Sequence, residues 1–220
     1  MAGIADRNTY LKNICDEMDK KWPDNRTVNI VCHGHSVPSG YFATPFVDTF
    51  NAYPHLLHKK IKERFPYAVV NVIVSAIGGE DSQKGSIRFS SDVTRHTPDV
   101  VTVDYALNDR GIGPEASREA HRRMIYSALT YGSKVILMTP SWEQSYFNDA
   151  ERWAQVAEYR EQIIALAAEY GVGLADSYAA FEKYVANDGD LNDLLSHVNH
   201  PNRKGHDLIA TELARWFPAR

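Results

Sequence analysis

The stretch His33-Gly34-His35-Ser36 puts two imidazoles and a hydroxyl into four residues. A serine on a tight turn becomes a nucleophile when a base takes its proton. A histidine pair is also a metal-ligating type of pair. Further groups of the same kind recur down the chain: Gly78-Gly79, Asn108-Asp109, and a late loop, SHVNHPNRKGH, that carries His197, His200 and His206. Acyl transfer needs a nucleophile, a base, and donors aimed at the developing oxyanion. Ser36 can be the nucleophile and lend its own N–H as one donor. Gly79, with no Cβ, lets a backbone N–H approach closely. The Asn108 side chain adds an NH₂ donor. His200, in a loop stiffened by Pro201, is the candidate base.

A rival chemistry uses His33, His35, His197, His200 and His206 as ligands of a catalytic zinc ion. Against it, His33 and His35 alternate along an extended segment and point to opposite sides. No cysteine or carboxylate spacing reinforces the set, so no metal or other cofactor is expected. Taken singly, each residue has a plainer role. Ser36 caps a helix, the glycines form a loop, Asn108-Asp109 makes a turn, and His206 packs or caps at the last helix. Their joint placement, not any one of them, points to chemistry.

That placement depends on the elements around them. Short β-branched runs fall at 28–33, 68–75, 99–105 and 134–139, with a weaker one at 172–176. Near-continuous apolar character suits strands covered on both faces of a parallel sheet. Helical patterns lie between them: about 8–21, Pro54 to Phe65, 115–131, 149–170 and about 204–217. Strand and helix alternating in this way predict an α/β three-layer sandwich with right-handed crossovers. In such sheets sites form beyond the carboxyl ends of the strands. Gly34-His35-Ser36, SAIGGEDS, ALND, Pro140-Ser141-Trp142 and the late histidine loop each follow a strand, so all are expected on one rim.

In this order the blocks resemble the SGNH/GDSL hydrolase superfamily over about residues 28–217. Gly34-His35-Ser36 stands where the family has Gly-Asp-Ser. SAIGGEDSQKG resembles its glycine block, ALND its Gly-x-Asn-Asp, and NHPNRKGH its Asp-x-x-His-Pro. The resemblance implies a flavodoxin-like five-stranded sheet and a shallow site hydrolysing esters without metal. It also implies Ser36 as nucleophile, His200 as base, and an oxyanion hole of the Ser36 and Gly79 N–H groups with the Asn108 amide. Two family acids are missing. His35 replaces the aspartate before the serine, and His197 stands three residues before His200, where the triad acid is usual. A triad acid orients the base and stabilises its imidazolium. Three arrangements are therefore open: His200 is oriented by a backbone carbonyl or by His197; Asp193 folds back to serve as the acid; or catalysis is impaired, leaving a carbohydrate-binding relative.

The bulk properties narrow the partners. The 220 residues suit a single domain, with 1–26 as a helical N-terminal extension. A net charge of −4 gives no basic footprint for nucleic acid, and no apolar run is long enough to span a bilayer. The polar N-terminus lacks the apolar core of a secretory signal. Two cysteines, Cys15 and Cys32, make no disulfide framework, so a reduced, cytoplasmic protein is expected. The expected partner is a small-molecule ester. Tyr41 and Trp142 lead two aromatic stretches expected to line its site or, equally, to cover the sheet or a homo-oligomer contact.

Overall fold

The computed structural model describes residues 3–218. Five strands, β1 (Thr27–Gly34), β2 (Val69–Ala76), β3 (Val100–Asp104), β4 (Lys134–Met138) and β5 (Gly173–Ala175), form one parallel sheet in the order β2-β1-β3-β4-β5. Nine helices surround it among the described residues: α1 (Lys12–Met18), α2 (Ser36–Ser39), α3 (Tyr53–Arg64), α4 (Ser82–Asp92), α5 (Pro114–Thr130), α6 (Ser145–Asn148), α7 (Ala150–Tyr170), α8 (Ser177–Ala186) and α9 (Arg203–Ala214). A small antiparallel ribbon, β6 (Leu195–His197) with β7 (His200–Pro201), precedes α9.

The apolar run of β1 is shared between two cores. Ile30 and Cys32 pack on one face with Leu57 and Ile61 of α3 and Ile209 and Leu213 of α9. Val31 packs on the other with Phe89 of α4, Ile125 of α5 and Ile163 of α7. Every residue of β3 is buried. A strand covered on both faces needs no polar side, which is why its sequence does not alternate. The N-terminal segment joins the first core: Leu11, Ile14, Cys15 and Met18 are buried there, and Ala5 N–H donates to the Val172 carbonyl.

Four helices, the one-turn α2 and α6 and the longer α4 and α8, lie outside the periodic stretches of the sequence. Helix α4, SQKGSIRFSSD, contains a glycine and few apolar residues. Its Gly85 is required by packing: a Cβ there would lie 2.4 Å from the Tyr105 ring. Helix α8 is short and carries its anchors as Tyr178 and Phe181. Both strands and loops nonetheless leave the predicted rim intact. Ser36, Gly79, Asn108 and the β6–β7 ribbon all follow the carboxyl ends of strands or approach them.

Candidate active site

Ser36 opens α2 immediately after β1 and is buried. The chain between β1 and α2 is tight. A Cβ at Gly34 would sit 2.5 Å from the Asp104 carbonyl, so glycine is needed for β1 and β3 to converge there. His35 caps α2, its Nδ1 accepting the Val37 N–H at 3.2 Å.

His200 is delivered from the other side of the fold. The β6–β7 ribbon pairs His197 with His200 through the backbone, and Ser196 Oγ donates to the His200 carbonyl at 3.0 Å. Asn202 then caps α9, accepting from Lys204 N–H and Gly205 N–H, while its amide donates to the Asp193 carbonyl. These local bonds fix the loop. The His200 ring reaches Ser36, whose hydroxyl donates to Nε2 at 3.0 Å. On its far side Nδ1–H donates to the Phe42 carbonyl at 2.9 Å. A carbonyl can only accept, so Nδ1 carries the hydrogen and Nε2 the lone pair. That is the tautomer a general base needs.

Burial pulls the His200 pKa below the ordinary imidazole value; the Phe42 carbonyl raises it, and the charges of His35 and His197, when present, lower it further. The ring is thus neutral and ready to accept a proton at neutral pH.

Both His200 nitrogens are occupied, which corrects two expectations. His197 does not orient the base: it is exposed, and its link to His200 is through backbone pairing. Asp193 does not fold back either. It is exposed, accepts from the Tyr184 hydroxyl at 2.7 Å, and lies 3.6 Å from Lys204 Nζ. Of the groups expected to orient the base, the backbone carbonyl is the one that meets Nδ1.

The three expected oxyanion donors follow the ends of β1, β2 and β3. Gly79 adopts φ +76°, in the left-handed region, and no described atom lies within 4 Å of where a Cβ would stand. The N–H groups of Ser36 and Gly79 donate to no backbone carbonyl among the described residues. Asn108 Nδ2 donates to the Glu80 carbonyl at 2.9 Å, which fixes the amide and leaves its second hydrogen for another acceptor. Tyr41 is half-buried beside the same site. Its ring centroid lies 6.0 Å from that of His200, and the ring covers Gly78, where a Cβ would come within 2.9 Å of it.

Trp142 takes the second of its two expected roles. It is 5% exposed and packs against Trp153, Tyr146 and Tyr178, so it covers the sheet rather than offering a face to a substrate. Tyr146 and Phe147 present the exposed aromatic surface there.

The other histidines are engaged in packing. His33 lies among Ser75, the Gly85 carbonyl and the Tyr105 hydroxyl, and burial takes its pKa to about 4. His206 Nδ1 accepts the Tyr53 N–H at the start of α3, and burial takes its pKa to about 3. Among the described residues no three His, Cys, Asp or Glu side chains converge as a metal-ligand group.

Residues with no sequence signal complete the rim. A cleft of about 470 Å³ runs beside Asn108 and Asn199, lined also by Arg110, Asp149, Arg152 and Gln155. Beneath it Glu143, fully buried, accepts from Arg110 at 2.6 and 3.2 Å, from Arg152 at 3.0 Å and from Ser145 at 2.8 Å. Burial alone would raise its pKa, but the Arg110 pairing and the other donors hold the carboxyl below its usual range. Asp109 braces the β3 loop, accepting from Ser82 N–H at 2.8 Å and Ser117 Oγ at 2.5 Å.

Solved structures of similar fold are hydrolases. A catalytic mutant of Axe2, an acetylxylan esterase from Geobacillus stearothermophilus, superposes with a TM-score of 0.76 at 18% identity, over 88% of this chain and 95% of that one. LAE5, an alpha/beta hydrolase enzyme from the metagenome of Lake Arreo, gives 0.75 at 22% identity, over 86% and 95%. A lipolytic protein assigned to the G-D-S-L family from Desulfitobacterium hafniense gives 0.69 at 21% identity, over 86% and 99%. No curated protein matches the sequence. The model of the GDSL-like lipase/acylhydrolase family matches residues 32–208, which begin just before the nucleophile turn and end within α9. The five-stranded 2-1-3-4-5 sheet, the ordered blocks and this match agree: the chain is an ester hydrolase of the GDSL-like lipase/acylhydrolase family.

Proposed function

We propose that the protein hydrolyses small acyl esters of polyhydroxylated alcohols, such as O-acetylated carbohydrates, through an acyl-enzyme on Ser36. The observation that carries the reading is the 3.0 Å contact of Ser36 Oγ with a correctly tautomerised His200 Nε2. In the first half-reaction Ser36 Oγ attacks the ester carbonyl carbon while His200 Nε2 takes its proton. The Ser36 and Gly79 N–H groups and the Asn108 amide receive the oxyanion. Collapse of the tetrahedral intermediate breaks the bond to the alcohol oxygen, which takes the proton from His200. In the second half, water gives a proton to His200 as it attacks the acyl carbon; collapse then breaks the bond to Ser36 Oγ, which takes that proton from His200, and the carboxylic acid leaves.

The finer substrate assignment is supported by the rim. Arg110, Asp149, Arg152, Gln155 and Asn199 offer donors and acceptors of both signs beside the oxyanion residue Asn108. Such a lining suits a hydroxyl-rich leaving group better than an alkyl chain. The acetylxylan esterase among the structures of similar fold is in keeping with this. A profile over p-nitrophenyl esters of rising acyl length, alongside an acetylated xylo-oligosaccharide, tests it. The expected result is fastest turnover of the acetyl ester and release of acetate from the sugar. A maximum at long acyl chains, with the sugar untouched, overturns the assignment.

A further inference from the structure

The site lacks a carboxylate behind His200, yet a buried carboxylate lies on the other side of the nucleophile. Ser36 Oγ stands between two imidazole nitrogens, His200 Nε2 at 3.0 Å and His35 Nδ1 at 3.5 Å. His35 Nε2 lies 3.4 Å from Asp104 Oδ1, at the end of β3. Both residues are buried, at 1% and 5% exposure. The contact is close but not aligned, so the Nε2 position has no hydrogen-bond acceptor at rest. Because Nδ1 accepts the Val37 N–H, the hydrogen of neutral His35 sits on Nε2, facing the carboxylate. The chain Asp104–His35–Ser36 therefore has the order acid, imidazole, hydroxyl, and the position where the family carries aspartate is filled by an imidazole with an aspartate beside it.

We infer that Asp104 is the displaced acid of this site, a positioning residue that sits behind His35 in the nucleophile pocket and supplies the negative charge that His200 lacks. The inference rests on the Ser36–His200 reading above. Its physical content is electrostatic. When His200 takes the serine proton, its only direct partner on the far side is the neutral Phe42 carbonyl. A fixed carboxylate in the same buried pocket favours that imidazolium, because a nearby opposite charge stabilises the charged form. The groups facing His200 are His35, His197, His206 and the Tyr41 phenol, none of them a carboxylate. Those facing Asp104 are His35, Cys32 of β1 and Tyr53 of α3; burial, with Asp104 adding to it, raises the pKa of both the thiol and the phenol, so neither competes for its charge. His35 packs beside the Ser36 hydroxyl, whose one proton goes to His200, and keeps α2 in register through its cap.

The test uses the full chain and p-nitrophenyl acetate. Asp104→Asn keeps the shape and a hydrogen-bond acceptor for His35 but removes the charge. The expected result is a loss on the order of tenfold in kcat with KM little changed. The acid limb of kcat/KM should also move to lower pH, because losing a nearby negative charge lowers the pKa of His200. His35→Asp keeps the helix cap, since aspartate caps well, but puts two carboxylates in one buried pocket, so its activity should fall. Combining it with Asp104→Asn restores a single carboxylate and should recover activity above either single variant. Thermal melts of all four proteins separate lost activity from lost fold. An unchanged kcat and acid limb in folded Asp104→Asn overturns the inference, as does a double variant no better than the worse single one. Wild-type turnover that does not need Ser36 overturns the parent reading, and the inference with it.

Discussion

Two regions beyond the ends of β1 and β2 treat charge in opposite ways. Behind the Gly78-Gly79 loop, Glu80 is paired bidentately with Arg88 at 2.5–3.0 Å and receives the Tyr105 hydroxyl at 2.8 Å. Arg88 also donates to Ser75 and Asp92. Every charge there has a partner, and the result is a rigid platform under the oxyanion loop. At the nucleophile, by contrast, the base leans on a neutral carbonyl, and the buried carboxylate of Asp104 lies behind a second imidazole, His35. The difference teaches where the fold spends saturated ion pairs. They hold the donors still, while the group that must gain and lose a proton is left with a soft partner and a depressed pKa.

The comparison breaks most visibly if the platform is cut. Arg88→Ala leaves Glu80 buried with no compensating cation, and should destabilise the fold by about 3 kcal/mol. Chemical denaturation checks this; a loss below about 1 kcal/mol would mean that water repairs the site and that the platform is not rigid. The smallest effects are expected at the residues nearest His200 in sequence. His197→Ala and Asp193→Asn should each leave kcat within about twofold, because neither side chain holds the ring. A tenfold loss in either would return that residue to the catalytic apparatus.

Much of this was legible in the chain. The four strong strands follow from their β-branched runs, and the rim follows from what each run is succeeded by. Ser36, Gly79, Asn108 and His200 could be read because each is a residue type with a distinctive job at a distinctive place. The orienting group could not. It is the carbonyl of Phe42, a backbone atom whose position depends on how residues 41–47 fold back, including the bridge between Tyr41 and Val47. Trp142 keeps two roles open in the sequence for a related reason: an aromatic after a strand looks the same whether it faces solvent or packs on Trp153 and Tyr178. Helix α4 escaped because its stability comes from Phe89 and from Gly85 seated against Tyr105, not from a periodic apolar face. Asp104 and Glu143 carry no motif at all; only the convergence of β3 with β1 and with β4 gives them partners.

The central claim is that Ser36, served by a neutral His200, is the nucleophile. Fluorophosphonate labelling followed across pH, with the modified peptide identified by mass spectrometry, tests it most directly. The account predicts a label on Ser36 whose rate rises with pH to a plateau, with a midpoint below about 6.5. It also predicts that Ser36→Ala loses both the label and turnover of p-nitrophenyl acetate by about 10³-fold or more. Label on another residue, or serine-independent turnover, would contradict it.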